Sequence, residues 1–171
     1  MLIIQDTREQ RPLIFNHPYI TGTKIETMKI GDYTVEFADG HRPPIVFERK
    51  SLQDIFGSLS KGYPRLKKRI NQAIQQNIQF IIIIEASLTK VNNGYNKSER
   101  SGEVIVQQLF TLLTRHNIMT VYTNSPEEAS LFITNFYLSI GKEHIKQAKI
   151  KSRESNPKTT NQECLGQGKT A

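Results

Sequence analysis

Gly31-Asp32-Tyr33-Thr34-Val35-Glu36-Phe37, then Ala38-Asp39-Gly40-His41, then Ile45-Val46-Phe47-Glu48-Arg49-Lys50 is the stretch that decides the fold class and the chemistry of this chain. Tyr33 to Phe37 alternates apolar and polar residues as a half-buried strand does, residues 38–41 are turn formers, and Ile45 to Arg49 is a second apolar strand. Folding back about Gly40 pairs positions whose numbers sum to about eighty, so Asp32 falls roughly opposite Glu48. Side chains two apart on a strand share a face, so Lys50 points the same way as Glu48 while Arg49 points away. One face of one hairpin is thus expected to carry Asp, Glu and Lys.

That trio suits hydrolysis of a phosphodiester. Carboxylate oxygens bind a hard cation such as Mg²⁺, with Mn²⁺ as a substitute, and such a cation polarises a phosphoryl oxygen and acidifies a water. A lysine ammonium offsets charge that builds on the phosphoryl oxygens. Asp54 lies one turn into the helix expected after the strand. Ser51-Leu52-Gln53-Asp54 also has the form of a capping box, so Asp54 has capping and catalysis open to it, and the two are compatible.

Gly31-Asp32-Tyr33 followed by Glu48-Arg49-Lys50-x-x-x-Asp54 resembles the signature of the XPF-type structure-specific endonucleases, within the PD-(D/E)XK nuclease superfamily. Asp6-Thr7-Arg8-Glu9, at the end of a strand expected from Leu2 to Gln5, is similar to that family's Asp-x-Arg-Glu motif. Tyr63-Pro64-Arg65-Leu66 and a strand ending in Glu85 follow in the family's order. The resemblance spans roughly residues 1–140 and is specific because four spaced elements match in sequence. It implies a three-layer α/β sandwich with a mixed central sheet, like that of restriction endonucleases, and a DNA endonuclease acting on flaps, forks or junctions. It implies Asp32 and Glu48 as metal ligands, with the backbone carbonyl of Phe47 or Arg49 as a further candidate. Lys50 takes an electrostatic role, and Asp6 and Asp54 support the metal shell. Arg8 and Glu9 read as a salt-bridged strand end or as supporting residues, and Arg49 as structural or phosphate-contacting.

At 171 residues, 37% of them hydrophobic, the chain suffices for one domain with a sizeable core, expected over residues 1–146. The charge of +7 matters less than its placement. Between Arg49 and Arg69 stand seven basic residues, among them Lys61, Arg65, Lys68 and Arg69, against the single acid Asp54. A polyanion would lie there, which marks these four as candidate DNA contacts. A helix from about Pro64 to Gln76 would turn Leu66, Ile70, Ala73, Ile74 and Asn77 to the sheet and Arg65, Lys68, Gln72 and Gln75 outward.

Gln79 to Glu85, with four successive isoleucines, reads as a strand buried on both faces. Gly102 to His116 reads as a helix buried through Val104, Leu109, Leu112 and Leu113, and Ile118 to Tyr122 as a strand. Ser125-Pro126-Glu127-Glu128 opens a last helix whose stripe of Phe132, Phe136, Tyr137 and Ile140 is expected in the core. Dimerisation near this end is a further possibility that the resemblance raises. Ser87 to Ser101 is expected to be a mobile loop, with Tyr95 available to stack on an unpaired base. From residue 147, and more strongly beyond Ile150, the polar basic composition predicts a disordered tail.

Other chemistries are excluded. Gly168-Lys169-Thr170 lacks the glycine of a phosphate loop, since Glu163 stands there, and the four histidines have no zinc spacing. The single Cys164 forms no intrachain disulfide and suits a reducing compartment. With no apolar run near the roughly eighteen residues that a span needs, no membrane association is expected and the setting is intracellular, cytoplasmic or nucleoid-associated in a bacterium or phage and nuclear in a eukaryote. XPF-type enzymes often carry a tandem helix-hairpin-helix module after the nuclease domain, and here a polar tail follows. Affinity is therefore expected from the nuclease surface, a homodimer or a heteromeric partner. A noncatalytic module for branched DNA and a restriction or recombination nuclease are the alternatives, and retention of all the acids favours activity.

Overall fold

Strand-forming sequence is spread over six segments that join in one sheet, in a computed structural model that describes residues 1–154. The strands are β1 (Leu2–Asp6), β2 (Gly22–Glu26), β3 (Tyr33–Glu36), β4 (Ile45–Ser51), β5 (Gln79–Glu85) and β6 (Met119–Tyr122). Their spatial order is β2-β1-β3-β4-β5-β6, with β3 antiparallel to both β1 and β4 and every other pair parallel. The helices are α1 (Leu52–Ser58), α2 (Tyr63–Gln75), α3 (Leu88–Asn92), α4 (Gly102–His116) and α5 (Pro126–Glu154). Parallel neighbours need crossovers, which α1 and α2 supply between β4 and β5, and α3 and α4 between β5 and β6.

Alternation along the central strands sorts the core into two layers. Val46, Ile82 and Ile84 pack with Ile55, Phe56, Leu66, Ile70, Ile105 and Leu109 of α1, α2 and α4. Phe47, Ile81 and Ile83 pack with Ala129, Ile133 and Tyr137 of α5. The result is the expected three-layer α/β sandwich. Ile81 to Ile84 are fully buried, and each such side chain stabilises the fold by about 2 kcal/mol. Phe132, Phe136 and Tyr137 meet Phe47 edge-on at centroid distances of 6.1, 5.4 and 5.5 Å, so Tyr137 is core while Phe132, Phe136 and Ile140 pack against the core half-buried.

The hairpin has the expected register, with Tyr33 opposite Phe47. Its ladder is shorter than alternation suggested, and Pro43 and Pro44, which carry no N–H, could not extend it opposite Glu36 and Phe37. Hydroxyls substitute: Thr34 Oγ1 and Tyr137 Oη both donate to the Ile45 carbonyl, at 2.9 and 2.8 Å.

Several expectations are corrected. β2, whose sequence Gly-Thr-Lys-Ile-Glu has no strong apolar pattern, is an edge strand held by parallel pairing with β1 and by Arg42, which bridges Glu26 and Glu36. In α2 the buried stripe is Leu66, Ile70 and Ala73; Ile74 is exposed, and Asn77 lies past the helix end at φ +53°. In α4, Ile105 joins Leu109 and Leu112 inside, while Val104 and Leu113 are 41% exposed. Residues 87–101 contain α3, capped by Ser87, and Tyr95 packs against Phe56 at 5.9 Å, so its ring is engaged in the fold. The expected boundary at residue 146 falls within α5, which continues past Ile150 to Glu154. Residues 155–171, the rest of the expected tail, lie outside the described residues. Among the described residues no helix is long and apolar enough to cross a membrane.

Candidate active site

The turn into β3 places the first acid. Gly31 sits at φ +78°, and a Cβ there would lie 2.6 Å from Val46 Cβ, so this position needs glycine for conformation and for space. The chain thereby runs against β4. Asp32 N–H donates to the Phe47 carbonyl at 2.7 Å, and the Asp32 carbonyl accepts from Asp6 N–H at 2.9 Å. Asp32 Oδ2 accepts from Arg49 N–H at 2.8 Å, which orients the carboxylate between β1 and β4. Since Phe47 O is already an acceptor for Asp32, it has less to offer as a further ligand.

Glu48 projects from β4 on the same face as Val46 and is fully buried. Its Oε1 accepts from Lys50 Nζ at 2.5 Å and from Arg69 Nη1 at 2.6 Å. Its Oε2 is buried with no hydrogen-bond partner. Arg69, from α2, also reaches Asp32, with Nη2 to Oδ1 at 3.7 Å. The structure therefore brings Asp32, Glu48 and Lys50 together as the hairpin register implied, and adds Arg69 to them. The sequence marked Arg69 as a candidate DNA contact in a basic run, not as a neighbour of the acids.

Arg49 turns to the opposite face, as strand alternation requires. Its guanidinium meets Glu85 at 2.6 Å, Glu9 at 3.4 Å and the Arg11 carbonyl, tying the ends of β1, β4 and β5 together. Burial opposes its charge, but Glu85 and Glu9 outweigh that and hold the Arg49 pKa above its usual value. Asp6 is the second structural acid. Its carboxylate accepts from Arg8 N, Arg8 Nε, Arg8 Nη2 and Met28 N at 2.7 to 3.1 Å. With the carboxylate so occupied, Asp6 meets the site through its backbone bond to Asp32.

Asp54 forms the capping box read from the sequence. Ser51 Oγ accepts from Asp54 N–H, and Asp54 Oδ2 accepts from Ser51 Oγ at 2.6 Å and more distantly from Ser51 N–H. Asp54 nevertheless lines the same open cleft as Glu48, Lys50, Lys61, Arg65 and Arg69. Lys68 is exposed on α2 and is not part of that lining. An adjoining cleft, lined by Arg8, Glu9, Asp32 and Arg49, shares Lys50 and Asp54 with the first.

Burial and then the neighbouring Glu48 push the Asp32 carboxyl up to about 6, against the pull of Lys50, the Arg49 N–H and Arg69. Two acids this close are costly without cations between them. Among the described residues no group of three or more His, Cys, Asp or Glu side chains is arranged to hold a metal. A hard divalent cation nevertheless fits the pair. The unpartnered Glu48 Oε2 offers an acidic oxygen, and Asp32 Oδ1 has only a distant ion pair.

A family model, the ERCC4 domain, matches residues 5–136; this family consists generally of nucleases that use a divalent metal. Two solved structures share the fold. "XPF from Aeropyrum pernix" superposes with a TM-score of 0.62 at 19% identity, covering 92% of this chain and 74% of that one. "XPF from Aeropyrum pernix, complex with DNA" gives 0.59 at 22% identity, covering 82% and 66%. No curated protein sequence matches significantly. With the model spanning most of the chain and the acids, lysine and sheet order in place, this chain belongs to the ERCC4 domain family and has the XPF-type nuclease fold.

Proposed function

We propose that this protein is a metal-dependent DNA endonuclease that hydrolyses phosphodiester bonds in branched duplexes such as flaps, forks or junctions. The carrying observation is the buried Glu48 with an unpartnered Oε2 beside Asp32, at the wall of a cleft in which Lys50, Lys61, Arg65 and Arg69 stand with Asp54. Asp32 and Glu48 would hold Mg²⁺ or Mn²⁺, which supplies Lewis acidity and a more acidic water when bound. Lys50, tied to Glu48, is placed to offset phosphoryl charge, and Arg49 N–H keeps Asp32 aimed at the site. Lys61, Arg65 and Arg69 line the cleft and would neutralise backbone phosphates, with Lys68 on the outer face of the same helix. Asp54 combines capping of α1 with a supporting place in the cleft. The preference for branches rests on the family resemblance, and the fold shared with a protein solved in complex with DNA supports DNA as the substrate.

The test is cleavage of labelled flap, fork, junction and linear duplex DNA with Mg²⁺ or Mn²⁺ by wild type, Asp32→Ala and Glu48→Ala. Metal-dependent cuts near branches, absent from both variants, are the expected result. Binding without cleavage by folded wild type would leave a noncatalytic branched-DNA module. Equal cutting of linear and branched DNA would leave a restriction or recombination nuclease.

A further inference from the structure

Arg69 makes contacts that go beyond its place in a basic run and beyond phosphate neutralisation. Its two terminal nitrogens are divided between the two acids, Nη1 on Glu48 at 2.6 Å and Nη2 toward Asp32 at 3.7 Å. It comes from α2, twenty-one positions after Glu48, so strand geometry alone does not bring it there. Arg8, another arginine lining the cleft, is bound to Asp6 and the Met28 carbonyl. Arg69 is therefore the guanidinium that bridges the pair.

Charge counting shows the consequence. Asp32 and Glu48 carry two negative charges, and Lys50 and Arg69 carry two positive ones, so these four groups are balanced as they stand. A divalent cation held by both acids would leave the group with a charge of about two, and repulsion at such distances is strong in a poorly solvated pocket. Lys50 is fixed on β4 beside Glu48 and 16% exposed. Arg69 sits on a long side chain, 28% exposed at the cleft wall, so it is the cation with room to withdraw. Asp32 Oδ1 is also the oxygen of that carboxylate left over by the Arg49 N–H, and it faces Arg69.

We propose that Arg69 is a resident counter-cation of the acid pair, which a divalent metal must displace before both Asp32 and Glu48 can hold it. Arg69 stabilises the two acids when no metal is present and weakens metal binding by competition. Once displaced, it returns a positive charge to the cleft wall beside Arg65. The inference rests on the acid pair being the metal site, so its test separates the two ideas.

Mn²⁺ binding to the full chain is measured at fixed pH and ionic strength, from the electron paramagnetic resonance signal of free Mn²⁺, for wild type, Arg69→Gln, Arg69→Lys and Asp32→Ala. Arg69→Gln is expected to bind Mn²⁺ about tenfold more tightly than wild type, the size of one charge-assisted contact removed from the competition. Arg69→Lys keeps the charge and is expected to gain less, and Asp32→Ala to lose binding. If Arg69→Gln binds no more tightly while Asp32→Ala still loses Mn²⁺, the metal site stands and the displacement is wrong. If neither wild type nor Arg69→Gln shows binding that depends on Asp32, the metal site fails and the inference falls with it. A second readout is taken on folded wild type: the Arg69 guanidinium resonances, assigned by their loss in Arg69→Lys. On Mg²⁺ addition they should move toward those of a solvent-exposed arginine, and unchanged resonances at saturating Mg²⁺ would overturn the displacement.

Discussion

Arg49 N–H donates to Asp32 Oδ2 at 2.8 Å, so the residue whose side chain turns away from Glu48 still aims the acid that stands beside Glu48. Backbone and side chain of Arg49 thus serve opposite faces of the sheet. Its guanidinium closes the far face on Glu9 and Glu85, and its amide sets the near face.

Arg49→Ala should lower stability by about 3 kcal/mol, since it strips the partner from largely buried acids. Adding Glu85→Gln should recover part of that loss, making the double variant less destabilised than the sum of the singles by about 1 kcal/mol or more. Urea denaturation of the four proteins measures this coupling, and strict additivity would mean that the clamp contributes nothing cooperative.

Gly31→Ala should cost about 3 kcal/mol, because both the positive φ and the approach to Val46 oppose a methyl group there. Adding Val46→Ala removes the Cγ2 contact at 2.9 Å but keeps the Cβ at 2.6 Å and the backbone strain, so stability should not return to that of Val46→Ala alone. Thermal melts of the three variants decide it.

Asp6 should contribute to stability in a defined pH window. Burial raises its pKa, but the bonds from Arg8 and Met28 more than compensate and hold it below the usual carboxylate range. A folded-state value below the unfolded one, near 3.9, gives stability that is present above about pH 4 and is lost as pH falls through the lower folded value. Asp6→Asn should therefore be less stable than wild type by about 2 kcal/mol at neutral pH, and the two should converge in acid. Denaturation midpoints from pH 2 to pH 7 test this, and a constant gap would assign the loss to packing.

Ser51→Ala and Asp54→Ala should each cost about 1 kcal/mol, as both remove one half of the cap on α1. Only Asp54→Ala should also lower cleavage strongly, by about tenfold or more beyond Ser51→Ala, if its place in the cleft is functional. Equal cleavage by the two variants at equal folded fraction would reduce Asp54 to a cap.

What depended on local periodicity was legible before any coordinates. The period-two hairpin, the four isoleucines of β5 and the Ser51 and Ser125 helix starts are patterns within a few residues, and each forms where its pattern lies. The approach of Asp32 to Glu48 belongs with them, because antiparallel register is arithmetic once the turn is known. Contacts between elements far apart in sequence have no such arithmetic. Arg69 lies between the two acids because of how α2 crosses the sheet, and Met28 N–H, at 2.7 Å, adds a sequence-distant donor to the three that Arg8 gives Asp6 locally. β2 was hidden for the same reason, since an edge strand with little buried surface is held by its neighbour's hydrogen bonds and not by its own pattern. The sequence alone thus determined which acids converge; the packing of helix on sheet determined which cations and amides meet them, because that depends on three-dimensional distance and not on spacing along the chain.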